Sequence, residues 1–180
     1  YYSVYPDDFH GVYPKLTIKA DEKVKAGDVL FYDKNNEKVK FVSPVSGKIN
    51  EIQRGERRKV ISIKIEADKE IEYKNLGKLD VKDDKNKIID YLLNAGLWPF
   101  IKQRPYDVIA DPNMSPKSIF ISGFSSAPLS ADLDYISKGS EEKIQIAIDL
   151  LSKLTEGEIH MSVRKNSDSI LSDLKNITIH

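Results

Sequence analysis

Between residues 12 and 72 the hydrophobic positions come in short runs separated by turn residues. Leu16-Thr17-Ile18, Val29-Leu30-Phe31-Tyr32, Val39-Lys40-Phe41-Val42, Lys48-Ile49-Asn50-Glu51-Ile52 and the run Val60–Ile65 carry β-branched and aromatic residues and read as strands. The last alternates, which predicts Val60, Ser62 and Lys64 on one face and Ile61, Ile63 and Ile65 on the other. Turn signals fall at Ala26-Gly27-Asp28, Asp33-Lys34-Asn35-Asn36, Ser43-Pro44 and Arg54-Gly55. Residues 1–75 are therefore expected to form a small all-β domain.

The charged stretch 66–87 suits a surface path, with the connection itself placed at 76–87. From there the period changes. Ile88, Ile89, Leu92 and Leu93 recur at helical spacing, with Asp83 or Asp84 as a cap and Gly96 as a stop. Ser118–Ser122 reads as a strand. Ser140 is expected to cap a helix running to Gly157, with Ile144, Ala147, Ile148, Leu151 and Leu154 on its inner face. Glu158–Val163 reads as a strand, Ser167–Lys175 as a short helix with Ile170, Leu171 and Leu174 inward, and Ile177–Ile179 as a strand. The order β-α-β-α-β predicts parallel strands with right-handed crossovers. Residues 88–180 are thus expected to be a Rossmann-like α/β domain, incomplete because the chain stops at its third strand. Tyr1 in place of an initiating Met adds the expectation of a piece of a longer protein.

Composition narrows the chemistry. The 180 residues hold 28 basic and 28 acidic side chains, and this zero net charge argues against a nucleic-acid partner. Without cysteine, the chain itself has no thiolate zinc site, iron–sulfur ligand or cysteine nucleophile. His10, His160 and His180 are too far apart in sequence for a helical two-histidine metal motif. No apolar run approaches the roughly 20 residues of a membrane span. The nine glycines are never closer than Gly47 and Gly55, so neither a P-loop nor a dinucleotide fingerprint can be written onto the chain.

The segment KADEKVKAGDVLFYDKNNEKVKFVSPVSGKINEI resembles the lipoyl- and biotinyl-type barrel-sandwich domains, through Val24, Gly27, Leu30, Ser43, Pro44 and Gly47 in order. Such domains carry their modified lysine about seven residues before the Ser-Pro. That count falls on Asn36, between Lys34 and Lys38, so a swinging-arm carrier is only a third reading.

Four stretches together are more specific: VKFVSPVSGKINEIQRG, AGLWPFIKQRP, IFISGFSSAPLSADLD and LLSKLTEGEIH. From about Pro14 to Val163 they resemble the A subunit of the Na+-translocating NADH:quinone oxidoreductase. The resemblance implies a peripheral subunit, with no transmembrane segment, on the cytoplasmic side of the bacterial inner membrane. Its partners would be the other subunits of a respiratory complex that passes electrons from NADH to ubiquinone and exports Na+. Flavins and an iron–sulfur centre would sit in those other subunits, with ubiquinone as the substrate associated with this one. That family is distantly similar to the flavin-binding subunit of respiratory complex I and to the Rnf complex C subunit, where a glycine-rich loop cradles the flavin phosphate. Here the corresponding stretch runs Gly96-Leu97-Trp98-Pro99-Phe100-Ile101-Lys102-Gln103-Arg104-Pro105. Backbone amides cannot approach a phosphate past such side chains, so neither FMN nor NADH is expected to bind and no prosthetic group is assigned to the chain.

A quinone needs an apolar or aromatic slot for its ring and donors for its carbonyl oxygens. Trp98, Phe100, Lys102, Arg104 and Tyr106 supply both; the competing reading makes the aromatics core and the cations solvated. Phe9 and His10, in the loop Tyr5–Gly11, form a second candidate. Three weaker ones are Gly123–Pro128, after the first α/β strand, the basic cluster Arg54, Arg57, Arg58 and Lys59, as a partner or anionic-lipid contact, and His160, read as packing. The leading reading is a quinone-associated subunit that is not itself catalytic. The alternative is a purely structural interaction module of the same complex.

Overall fold

A computed structural model describes residues 1–165 and 169–180. Spatial proximity of backbone positions divides them into two compact units, one of residues 1–79 and 89–111, the other of residues 80–88 and 112–180.

The first unit contains β1 (Tyr2–Val4), β2 (Pro14–Leu16), β3 (Lys23–Val24), β4 (Val29–Asp33), β5 (Asn36–Val42), β6 (Gly47–Arg54) and β7 (Val60–Ala67). All pairings are antiparallel, in two sheets ordered β1-β7-β6-β3 and β2-β4-β5. Leu30, Phe31, Val39 and Phe41 from one sheet and Ile49, Val60, Ile63 and Ile65 from the other are buried. Val39/Phe41 and Ile63/Ile65 alternate with outward residues, while the consecutive Leu30 and Phe31 are both buried beside a register shift in β4. Gly47 lies where a Cβ would come 2.0 Å from the Glu66 carbonyl oxygen, which lets β6 begin against the end of β7. The buried hydroxyls nearby have partners: Ser43 donates to the Val45 carbonyl at 2.6 Å, and Ser46 accepts from the Glu72 N–H at 2.9 Å.

One local expectation changes. Gln53 pairs with Ser62 but Arg54 with Val60, so Ile61 is the extra residue of a bulge. The bulge turns Ile61 outward and breaks the strict alternation, leaving Ser62 buried beside Ile63. The stretch after β7 runs over the surface as expected, and backbone bonds tie it down. Asp68 N–H bonds to the Ser46 carbonyl, Ala26 N–H to that of Glu72, and Lys74 N–H to that of Ala26.

The first helix, α1 (Lys85–Asn94), has Asp84 as its cap, accepting from the Lys87 N–H at 2.9 Å. It ends at Gly96 (φ +69): Gly96 N–H bonds to the Leu93 carbonyl and Leu97 N–H to that of Leu92, a Schellman closure. The short strands β8 (Lys102–Gln103) and β9 (Val108–Ile109) follow and pair antiparallel. Residues 89–111, expected to begin the α/β domain, thus group with the barrel strands.

The second unit has β10 (Ile119–Ser122), α2 (Leu133–Ser137), α3 (Glu141–Ser152), β11 (Ile159–Ser162) and β12 (Thr178–Ile179). The strands are parallel in the order β10-β11-β12. Ile148 of α3, Ile159, Met161 and Leu171 form the buried cluster, with Ile119, Ile121, Ile144 and Leu151 packed on it. The helix expected to reach Gly157 stops at Ser152; Leu154 is buried just beyond it, and Ala147 points outward. Ser140 stands at the cap position without a side-chain cap bond. The unexpected α2 is capped by Asp132, which accepts from Asp134 and Tyr135 N–H groups. In place of the second crossover helix there is a 3-10 turn, Ile170–Asp173, with Leu171 buried and Ile170 and Leu174 half-buried. Its Ser169 cap and the Ser and Asp within it offer the backbone local side-chain partners that compete with a longer helix. Residues 167 and 168 of the expected helix lie outside the described residues.

Candidate functional site

The Schellman closure of α1 sends the chain into a 3-10 turn, Trp98–Phe100, that splits the two aromatic residues. Trp98 is buried at 4% exposure and its Nε1–H donates to the Ala110 carbonyl at 2.7 Å, so this ring is structural. Phe100 points the other way and is 71% exposed. Gly96 makes the path possible, because a Cβ there would lie 2.6 Å from Cγ2 of Val42 on β5.

Phe9 follows the 3-10 turn Pro6–Asp8 and reaches the same place. Its ring stands edge-on to Phe41 (centroids 4.6 Å apart, 67°) and edge-on to Phe100 (6.1 Å, 68°), while the Lys102 ammonium lies 5.8 Å above it. Phe41 is buried and stacks on Phe31 at 4.4 Å, which ties the group to the barrel core. Phe9, Phe100 and Lys102, taken from two stretches about 90 residues apart in the chain, thus form one open aromatic surface with a cation over it. Phe41 is a member of the group that sequence reasoning misses. Nothing in its spacing marks it, since only the fold brings Phe9 onto that strand.

The remaining candidates are near these residues in the chain and, among the described residues, make no ring contact with them. Arg104 and Tyr106 sit in the turn between β8 and β9; the Arg104 guanidinium pairs with Asp107 at 3.5 Å and Tyr106 is 73% exposed. His10 is exposed in the loop after Phe9. Phe9, Phe100 and Lys102 offer ring faces and edges with an ammonium donor, which can hold a flat, neutral, carbonyl-bearing molecule. The group has no paired carboxylates and no nucleophile–base pair.

Elsewhere the hydroxyls of 123–128 bond within their own loop: Ser122 donates to the Phe124 carbonyl and Ser125 accepts from the Ala127 N–H. His160 does pack, but on the sheet face away from the cluster. It stacks on Phe120 at 4.7 Å, with its Nδ1 3.1 Å from Nε2 of His180. The β4–β5 turn is Lys34-Asn35, closed by the Asp33–Asn36 pair, within the expected stretch 33–36. The Asp33 carboxylate accepts from both the Asn35 and Tyr13 N–H groups and holds this two-residue turn.

A barrel-sandwich unit followed by a parallel α/β unit is the pairing that the two matching family models describe. Residues 1–68 match the family described as the NqrA N-terminal barrel-sandwich hybrid domain, and residues 83–180 match the NqrA second alpha/beta domain. The chain belongs to the NqrA family, whose curated members are the A subunits of Na(+)-translocating NADH-quinone reductases. It is 35% identical over 177 residues to the NqrA protein of Neisseria gonorrhoeae, covering 97% of this chain and 40% of the relative. Over 157 residues it is 32% identical to that of Marinomonas, covering 86% and 35%. Over 155 residues it is 34% identical to that of Saccharophagus degradans, covering 84% and 35%. The chain therefore spans between a third and two fifths of the length of these relatives. Among the described residues no helix is long and apolar enough to cross a membrane.

Proposed function

We propose that the chain is part of a peripheral, cytoplasm-facing subunit of a Na+-translocating NADH:quinone reductase and works there as a quinone-associated element without a prosthetic group of its own. Its partners are then the other subunits of that complex, which hold the flavins and the iron–sulfur centre. The supporting observation is the convergence of Phe9, Phe100 and Lys102 on one surface. A benzoquinone ring can stack on or against the exposed Phe100 ring, and the Lys102 ammonium can donate to a carbonyl oxygen; Arg104, Tyr106 and His10 are close to these residues in the chain and are exposed. The bulky Trp98–Phe100 turn where flavin-binding relatives are glycine-rich favours a subunit without flavin.

Trp98 is the chain's single tryptophan and lies two residues from Phe100, so its emission reports on this surface. Adding a short-tailed ubiquinone, with inner-filter controls, is expected to quench Trp98 saturably. Phe100→Ala and Lys102→Ala are each expected to weaken the apparent affinity about tenfold. Linear quenching that is identical in the variants would leave the purely structural role in its place.

A further inference from the structure

The β6–β7 hairpin carries a feature that the quinone reading does not use. Its loop closes through Gly55 N–H to the Lys59 carbonyl at 2.8 Å and Lys59 N–H to the Glu56 carbonyl at 3.1 Å. The two central residues, Arg57 (φ 51, ψ 29) and Arg58 (φ 61), both stand in the left-handed region, the requirement of a type I′ turn. Asn-Gly meets that requirement with little strain, whereas two arginines do so against the steric preference of their own Cβ atoms. Observed strain of this kind is a pointer to function.

The tip is also the densest cationic place in a chain of zero net charge: Arg54, Arg57, Arg58 and Lys59 against Glu56 alone in six residues. Lys59 is engaged with Asp7 at 2.7 Å, and Arg54 donates to the Arg58 carbonyl. Among the described residues the exposed guanidinium groups of Arg57 and Arg58 have no carboxylate within ion-pair distance. Beside them the bulge turns Ile61 into solvent, against Gly55. Cations around an outward apolar side chain suit a surface of anionic headgroups with acyl chains just beneath.

We infer that this hairpin tip is a lipid-contact site, with Arg54, Arg57 and Arg58 on anionic phospholipid headgroups and Ile61 at the headgroup–acyl boundary. The site is independent of the quinone surface. Co-sedimentation of the chain with phosphatidylcholine vesicles, with and without phosphatidylglycerol, tests it. Binding is expected only to the anionic vesicles and is expected to fall as salt is raised. Arg57→Asn with Arg58→Gly keeps the turn in its favoured chemistry and is expected to lower binding about tenfold or more. Arg57→Lys with Arg58→Lys is expected to retain it. Equal affinity for neutral and anionic vesicles, no vesicle binding, or unchanged binding in the Asn-Gly variant would overturn the site; so would a tip that binds only another subunit's protein surface. Ubiquinone quenching of Trp98 should survive in the Asn-Gly variant, so the two readings stand or fall separately.

Discussion

The two units solve the burial problem in different ways. In the barrel unit two antiparallel sheets face each other, and Phe31, Leu30, Ile49, Ile63 and Ile65 are fully enclosed by strands of the same stretch. In the α/β unit one face of the parallel sheet is covered: Ile148 of α3 closes on Ile159 and Met161. On the other face Phe120 is 76% exposed, with His160 and His180 beside it. An antiparallel sandwich closes its core with local hairpins, whereas a parallel sheet needs a layer on each face. The candidate surface lies on the barrel unit, where Phe9 stands edge-on to the buried Phe41.

The comparison is broken most severely by removing a ring or a branch from each core. Phe31→Ala is expected to destabilise the barrel unit by about 3–5 kcal/mol, followed through Trp98 emission in urea. Ile148→Ala should cost the α/β unit about 2–5 kcal/mol, followed by helical circular dichroism, and nearer the low end because the half-covered sheet can relax around the gap. Equal or larger loss at Ile148 would deny the difference in enclosure.

A smaller effect tests the joint beneath the candidate surface. Gly96→Ala places a side chain at φ +69 and presses it into Val42, at an expected cost of about 1–2 kcal/mol. Because the same turn directs Phe100, ubiquinone quenching of Trp98 should weaken as well. Loss of stability without that weakening would separate the turn from the site.

The smallest effect is electrostatic and belongs to the barrel. Burial tends to raise the Asp28 pKa, but the Lys25 N–H at 2.8 Å and the Lys74 ammonium at 3.2 Å outweigh it and hold the carboxyl below its ordinary value of 3.8. A carboxyl depressed in the folded state contributes stability that is whole above 3.8 and lost as pH falls through the lower, folded-state pKa. Asp28→Asn is therefore expected to flatten the acid limb of the barrel's stability curve and to leave the α/β unit's helical signal unchanged. An unaltered acid limb would remove Asp28 from the barrel's pH response.

Much of this is legible along the chain. The runs around Leu30, Phe41, Ile49 and Ile63, the Asp84 cap, the Gly96 stop and the three strands 119–122, 159–162 and 178–179 follow from period and turn chemistry, which act over a few residues. Ile61 departs from its expected face because a bulge belongs to a pair of strands and leaves no mark in either one. Helix α3 stops at Ser152 and Leu154 is buried from the turn that follows, an outcome that periodicity does not distinguish from a continuing helix with Leu154 inward. The chemistry of the candidate residues is readable and their geometry is not: Trp98 and Phe100 are separated by one residue, yet one is core and the other solvent-facing.

Most strands, helices α1 and α3 and the family follow from the sequence alone, because hydrophobic period, caps and turn residues are local and short motifs persist in order; α2 and the 3-10 turn at Ile170–Asp173 do not. Tertiary structure decided that residues 89–111 group with the barrel, that Phe9 meets Phe100 under Lys102, and that Arg57 and Arg58 share a left-handed turn. Each depends on contacts between residues far apart in the chain or on strand register, and no local pattern encodes which distant side chain will fill the space beside a given ring.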